Sequence, residues 1–171
     1  MKCIFVVDVQ NGFVSLKTQH VVPKIKELLP SFSDGVIIAT KFINRPKSPY
    51  ECILNWKRLK KTQETDLYEG IEPLCNHVIE KNIYSALTNE VIELLEKYNV
   101  TKAYIAGIDT DCCVLKTALD LFERNIKPMV LVDYCASNGG EDSHLAAVKV
   151  LQRTIGDNQL LYGPFQSGKQ E

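Results

Sequence analysis

The chain has 171 residues, 45% hydrophobic and 24% charged, which fits one globular domain with a core large enough to need no disulfide or metal staple. Twenty Lys and Arg against twenty-one Asp and Glu leave a formal charge of -1, which excludes the broad positive field of a nucleic-acid or anionic-membrane binder. A small molecule is the expected partner, and no apolar run approaches the ~20 residues of a membrane span.

The N-terminal run Ile4-Phe5-Val6-Val7 is too short for the apolar core of a signal peptide, so a cytoplasmic protein is expected. From there, short β-rich runs alternate with longer helical patterns, the signature of βαβ units and a parallel sheet. Strands are predicted over residues 3–9, 36–40, 77–80, 103–107 and 128–132. Their nearly continuous hydrophobicity suits strands covered by helices on both faces. Helices are predicted over residues 23–29, 52–61, 88–98, 112–124 and 141–154, with Thr88 as the cap of the third. The whole chain, 1–171, reads as one domain with an irregular, pocket-forming segment at about 41–71, where Pro46 and Pro49 disfavour helix before them. Its aromatics, Phe42, Tyr50 and Trp56, are expected either to roof a pocket or only to anchor the loop. The polar tail 163–171 is expected to fray.

Six cysteines, Cys3, Cys52, Cys75, Cys112, Cys113 and Cys135, contain no C-x-x-C and no Cys/His pair at zinc spacing. Reduced thiols are expected. His20, His77 and His144 are scattered without ligand spacing. No G-x-G-x-x-G or G-x-x-x-x-G-K-[ST] follows a predicted strand, which argues against a nucleotide-binding domain.

Ligands of open parallel sheets bind beyond the carboxyl ends of the strands. Three residue types with usable chemistry lie there: Asp8 after the first run, Lys81 after the third, and the pair Cys112-Cys113 opening a helix after the fourth. A thiolate is the reactive form of cysteine, and a helix N-terminus or an ammonium favours it. Lys81 is a candidate to stabilise that thiolate, and Asp8 to take the thiol proton and return it to a leaving group. Each also has a plain reading: a turn cap at Asp8, an exposed charge at Lys81, small buried hydrophobes at the cysteines. Cys112, Leu115, Leu119 and Phe122 share one helical stripe, so Cys112 is expected to face the core and Cys113 to face away from it, toward substrate.

Three segments in order, Val6-Val7-Asp8-Val9-Gln10-Asn11-Gly12-Phe13, Glu80-Lys81-Asn82-Ile83-Tyr84-Ser85-Ala86-Leu87 and 107–120, carry a resemblance to the isochorismatase-like cysteine hydrolases, the superfamily of nicotinamidases and N-carbamoylsarcosine amidase. The last, which begins Gly107-Ile108-Asp109-Thr110-Asp111-Cys112-Cys113-Val114, is the most specific. The resemblance implies an α/β fold, a Rossmann-like three-layer α/β/α sandwich with a mostly parallel central sheet, and a homo-oligomer, dimer or tetramer. It implies a catalytic triad of Asp8, Lys81 and Cys113, a cis peptide at Ile108–Asp109, and an oxyanion hole formed by the backbone N–H groups of Asp109 and Cys113.

The sequence also departs from relatives. Nicotinamidases place an Asp and two His after the second strand to hold a metal, whereas this chain reads Ala39-Thr40-Lys41-Phe42-Ile43-Asn44-Arg45. No metal and no cofactor are therefore expected. Asn44, Ser48, Tyr50, Trp56 and Tyr84 are candidates for a different pocket, with Phe13 and Phe42 as its apolar wall. The resulting expectation is a cysteine hydrolase acting on a small amide, carbamoyl or cyclic imide-like substrate through a thioester. The alternative is a ligand-binding or sequestering protein that keeps the fold without turnover.

Overall fold

The computed structural model describes residues 1–60 and 62–165. Among these, β1 (Cys3–Val7), β2 (Val36–Phe42), β3 (His77–Lys81), β4 (Lys102–Ile108), β5 (Lys127–Ala136) and β6 (Leu160–Leu161) form one sheet in the order β3-β2-β1-β4-β5-β6. Every pairing is parallel. The strand order therefore reverses between β1 and β4, and all six carboxyl ends share one edge.

Period-two alternation sends neighbouring side chains of one strand to opposite faces. In β1, Cys3, Phe5 and Val7 join a core with α3 (Asn89–Lys97), α4 (Leu115–Glu123) and α5 (Glu141–Ile155). Ile4 and Val6 join the other core, with α1 (Val21–Leu28) and the turn Leu29–Phe32. These are the three layers expected, and both faces of β1 are dry because helices cover both. Thr88 caps α3 by accepting from the Val91 N–H at 3.3 Å.

The structure corrects several boundaries. The predicted helix 52–61 is absent over 53–60, and residue 61 lies outside the described residues: α2 covers only Pro49–Cys52, with Ser48 as its N-cap. Beyond it, Asn55 and Leu59 adopt positive φ, at 53° and 55°, which a continuing helix does not allow. The chain instead turns Leu59, fully buried, onto Phe42 and Tyr50. β6, two residues long, has no sequence pattern to reveal it. The start of the tail does not fray: Phe165 stacks on Phe32, with ring centroids 5.1 Å apart, and its N–H donates to the Tyr134 hydroxyl at 3.1 Å. The rest of the tail, 166–171, lies outside the described residues. Among the described residues, no helix is long and apolar enough to cross a membrane.

Candidate active site

The reversal of strand order opens a crevice at the carboxyl ends of β1 and β4, and Asp8 follows β1 directly. Gly107, near the end of β4, permits the close approach of these strands. It has φ +136°, and a Cβ there would sit 2.2 Å from the Val7 carbonyl oxygen. Asp8 itself has φ 50°, an unusual conformation for a residue other than glycine. Thr40, at the neighbouring end of β2, accepts the Asp8 N–H at 3.2 Å and donates its hydroxyl to Asp8 Oδ1 at 2.7 Å.

Lys81 ends β3 and is not the exposed charge of the plain reading: its side chain and that of Asp8 are both fully buried. Lys81 Nζ lies 2.7 Å from Asp8 Oδ2 and 3.5 Å from Cys113 Sγ, and donates to the carbonyls of Ile83 at 2.9 Å and Tyr84 at 3.1 Å. Asp8 Oδ2 meets Lys81 as an ion pair without the alignment of a regular hydrogen bond, so it retains accepting capacity. Burial works against the Lys81 ammonium, but the charges of Asp8 and Cys113 outweigh it and hold its pKa above the ordinary value.

Cys113 reaches this pair by a route other than the predicted stripe. A wide turn over Thr110–Val114, with the Val114 N–H bonded to the Asp109 carbonyl five residues back, precedes α4. It breaks the register on which the stripe depends. The buried residues of α4 are Thr117, Ala118 and Leu121, and Cys113, one turn before Thr117, is 5% exposed within the core. Phe122 is 47% exposed, and Cys112 is half-buried. Facing inward is thus what brings Cys113 to Lys81. Burial pushes the Cys113 thiol well up, the Asp8 charge pushes it further, and Lys81 opposes them. All six cysteines are free.

Above these groups lies a cavity of about 260 Å³, lined by Phe13, Phe42, Tyr50, Trp56 and Tyr84 together with Asp109, Cys112 and Cys113. Phe13 and Trp56 stack nearly parallel with centroids 6.0 Å apart, and Tyr50 meets Tyr84 edge-on at 5.0 Å. Asn44 and Ser48 do not join this wall. Asn44 Nδ2 donates to the carbonyls of Trp56 and Arg58, both at 3.0 Å, while its Oδ1 accepts from Ser48 at 2.5 Å. Its amide is consumed in folding the loop that carries Trp56.

Gly12, Leu54, Arg58 and Asn138 complete the wall and were not singled out from the sequence as site residues. Asn138 follows β5, and its position just past a strand end, before Gly139-Gly140, is the signal that marks it. It ties three loops together: its N–H and Nδ2 donate to Asp109 Oδ1 at 2.8 and 2.9 Å, Nδ2 also donates to the Phe13 carbonyl, and its Oδ1 accepts from Ser15. The peptide Ile108–Asp109 is cis.

The residues at and just past the end of β2 do not fit the nicotinamidase metal seat. Lys41 pairs with Asp66 at 3.8 Å, Phe42 is in the aromatic wall, and Asn44 is bound within its loop. Among the described residues, no three His, Cys, Asp or Glu side chains are grouped to hold a metal ion.

A profile of the Isochorismatase domain matches residues 2–158. Isochorismatase family protein 1A of Dictyostelium discoideum is 29% identical over 154 residues, covering 87% of this chain and 69% of that protein. Among solved structures, N-carbamoylsarcosine amidase from Thermoplasma acidophilum superposes with a TM-score of 0.83 at 20% identity, covering 98% of this chain and 99% of that one. Pyrazinamidase/nicotinamidase from Streptococcus mutans gives 0.81 at 21% identity, covering 94% and 100%. With the profile spanning nearly the whole length and the sheet order and crevice already described, the chain belongs to the isochorismatase domain family.

Proposed function

We propose that this protein is a cysteine hydrolase that cleaves the C–N bond of a small amide, carbamoyl or cyclic imide-like substrate, with Asp8, Lys81 and Cys113 as its catalytic triad. The observation that carries this reading is the meeting of an acid, an ammonium and a thiol from three strand ends under one cavity, with Lys81 Nζ 2.7 Å from Asp8 and 3.5 Å from Cys113. A binding protein has no use for a buried ion pair against a thiol, since burying charge is costly unless it is put to work. The amidases among its structural relatives agree with it.

In this mechanism Cys113 Sγ attacks the substrate carbonyl while its proton passes to Asp8 Oδ2. Charge grows on the carbonyl oxygen, which accepts from the backbone N–H groups of Asp109 and Cys113, both on the cavity wall. One such donor is worth about 3 kcal/mol in the transition state. Collapse breaks the C–N bond, and the leaving nitrogen takes the proton from Asp8. Water then gives a proton to Asp8 and attacks the thioester, the C–S bond breaks, and the proton returns to sulfur. Lys81 compensates the negative charge on Asp8 and sulfur through the cycle. The same reading carries a cytoplasmic location and a homo-oligomer, checked by fractionation and light scattering.

The test is a panel of primary amides, carbamoyl compounds and cyclic imides, followed by proton NMR for product and by intact mass for acyl-enzyme. Turnover that is lost in Cys113→Ala and kept in Cys112→Ala supports the proposal. Turnover unchanged in Cys113→Ala refutes the mechanism, and tight binding with no turnover by the unaltered protein favours sequestration.

A further inference from the structure

The charges around the cavity cancel, with one exception. Lys81 is matched by Asp8, and Arg58 by Glu64, whose Oε1 lies 3.3 Å from Arg58 Nε. Asp109 lines the cavity and has no cationic partner among the described residues. Its Oδ1 accepts both Asn138 donors, at 2.8 and 2.9 Å, while its Oδ2 accepts no hydrogen bond from the described residues. Asn138 is itself held by Ser15 and the Phe13 carbonyl, so the Asp109 carboxyl is fixed with one oxygen committed and the other open. The rings of Phe13, Phe42, Tyr50, Trp56 and Tyr84 line the same cavity.

A carboxylate without a counter-ion in an aromatic enclosure is a receptor for a cation. Aromatic faces attract positive charge, and a charge-assisted hydrogen bond is roughly twice as strong as a neutral one. An anionic ligand would meet this carboxylate unfavourably, and a neutral one would leave it uncompensated.

We propose that Asp109 is the specificity-determining residue of the cavity and that it selects amides carrying a protonated amine on the side away from the scissile bond. The proposal rests on the hydrolase reading for the amide and for the oxyanion hole. Because the Asp109 N–H serves the carbonyl oxygen in that reading, its own carboxyl reaches only a cation within a few bonds of the scissile carbonyl. The substrate class is therefore a compact amino-amide. Burial pushes the Asp109 carboxyl up to about 6, a cost that a cation beside its open oxygen would relieve.

The test measures binding, so that it stands apart from turnover. Trp56 is the single tryptophan of the chain and lies in the cavity wall, so its fluorescence reports occupancy. In a Cys113→Ala background, meta-(aminomethyl)benzamide, meta-methylbenzamide and meta-carboxybenzamide are titrated at neutral pH; they share ring and carboxamide and differ in charge. The aminomethyl compound is expected to bind about tenfold more tightly than the methyl compound, with the carboxylate weakest. Asp109→Asn keeps an oxygen for Asn138 and should abolish the preference; if circular dichroism shows it misfolded, Asp109→Ser takes its place. Equal affinities, a preference that survives the substitution, or no response to any of the three overturns the assignment. A lost preference leaves the hydrolase reading standing, and a failed hydrolysis assay leaves this measurement valid.

Discussion

Thr40 and Asp8 exchange two hydrogen bonds across adjacent strand ends: the Asp8 N–H donates to Thr40 Oγ1 at 3.2 Å, and the Thr40 hydroxyl donates to Asp8 Oδ1 at 2.7 Å. The exchange occupies Oδ1 and turns Oδ2 toward Lys81. In the proposed mechanism Thr40 thereby decides which oxygen of Asp8 takes the thiol proton, and it holds a residue at φ 50°.

Thr40→Val keeps the shape and removes the hydroxyl, leaving Oδ1 and the Asp8 N–H buried without a partner. A stability loss of about 1–3 kcal/mol is expected in urea denaturation. kcat is expected to fall by roughly tenfold or more with KM little changed, while Thr40→Ser restores both. A Val variant with unaltered kcat would remove Thr40 from the proton path.

Lys81→Met strips the counter-ion from a fully buried Asp8. Removing one partner of a buried pair typically costs about 3–5 kcal/mol. The double variant Lys81→Met with Asp8→Asn should recover much of that loss, since no charge remains to be buried. Equal destabilisation in the single and double variants would show that the ion pair does not set the penalty.

Asp109 makes stability pH-dependent. Burial raises its folded-state pKa to about 6, against ~3.9 in an unfolded chain, so the folded state binds the proton more tightly. Its contribution to stability is complete below ~4 and is lost as pH rises through about 6. Urea midpoints from pH 4 to 7, taken for the unaltered protein and for Asp109→Asn, should differ in slope across that window. Superimposable slopes would contradict the burial of this carboxyl.

The central strands were legible because helices cover both faces, so β1 runs Cys3 to Val7 without a polar interruption and ends at the acid. Lys81 and Cys113 were legible from strand ends and from the motif after Gly107. The cysteine stripe misled because the wide turn at Thr110–Val114 shifts register before α4 begins, and nothing in side-chain pattern announces such a turn. Helix 52–61 failed because bonds from outside the segment decided the local shape: Asn44 captures the carbonyls of Trp56 and Arg58, the first of which a helix would have used itself. The contacts of Thr40 with Asp8 and of Asn138 with Asp109 were not legible, since a buried Thr and an Asn before Gly-Gly also occur wherever strands end in turns.

The coupling of the three strand-end groups is tested most directly by the pH dependence of iodoacetamide labelling at each cysteine, mapped by mass spectrometry in the unaltered protein, Asp8→Asn and Lys81→Met. Because burial and the Asp8 charge raise the Cys113 thiol while Lys81 opposes them, Cys113 should label with a midpoint well above the ordinary cysteine value. Asp8→Asn should move that midpoint down, and Lys81→Met should move it up. A midpoint that neither substitution moves would contradict an assembled acid, ammonium and thiol acting as one unit.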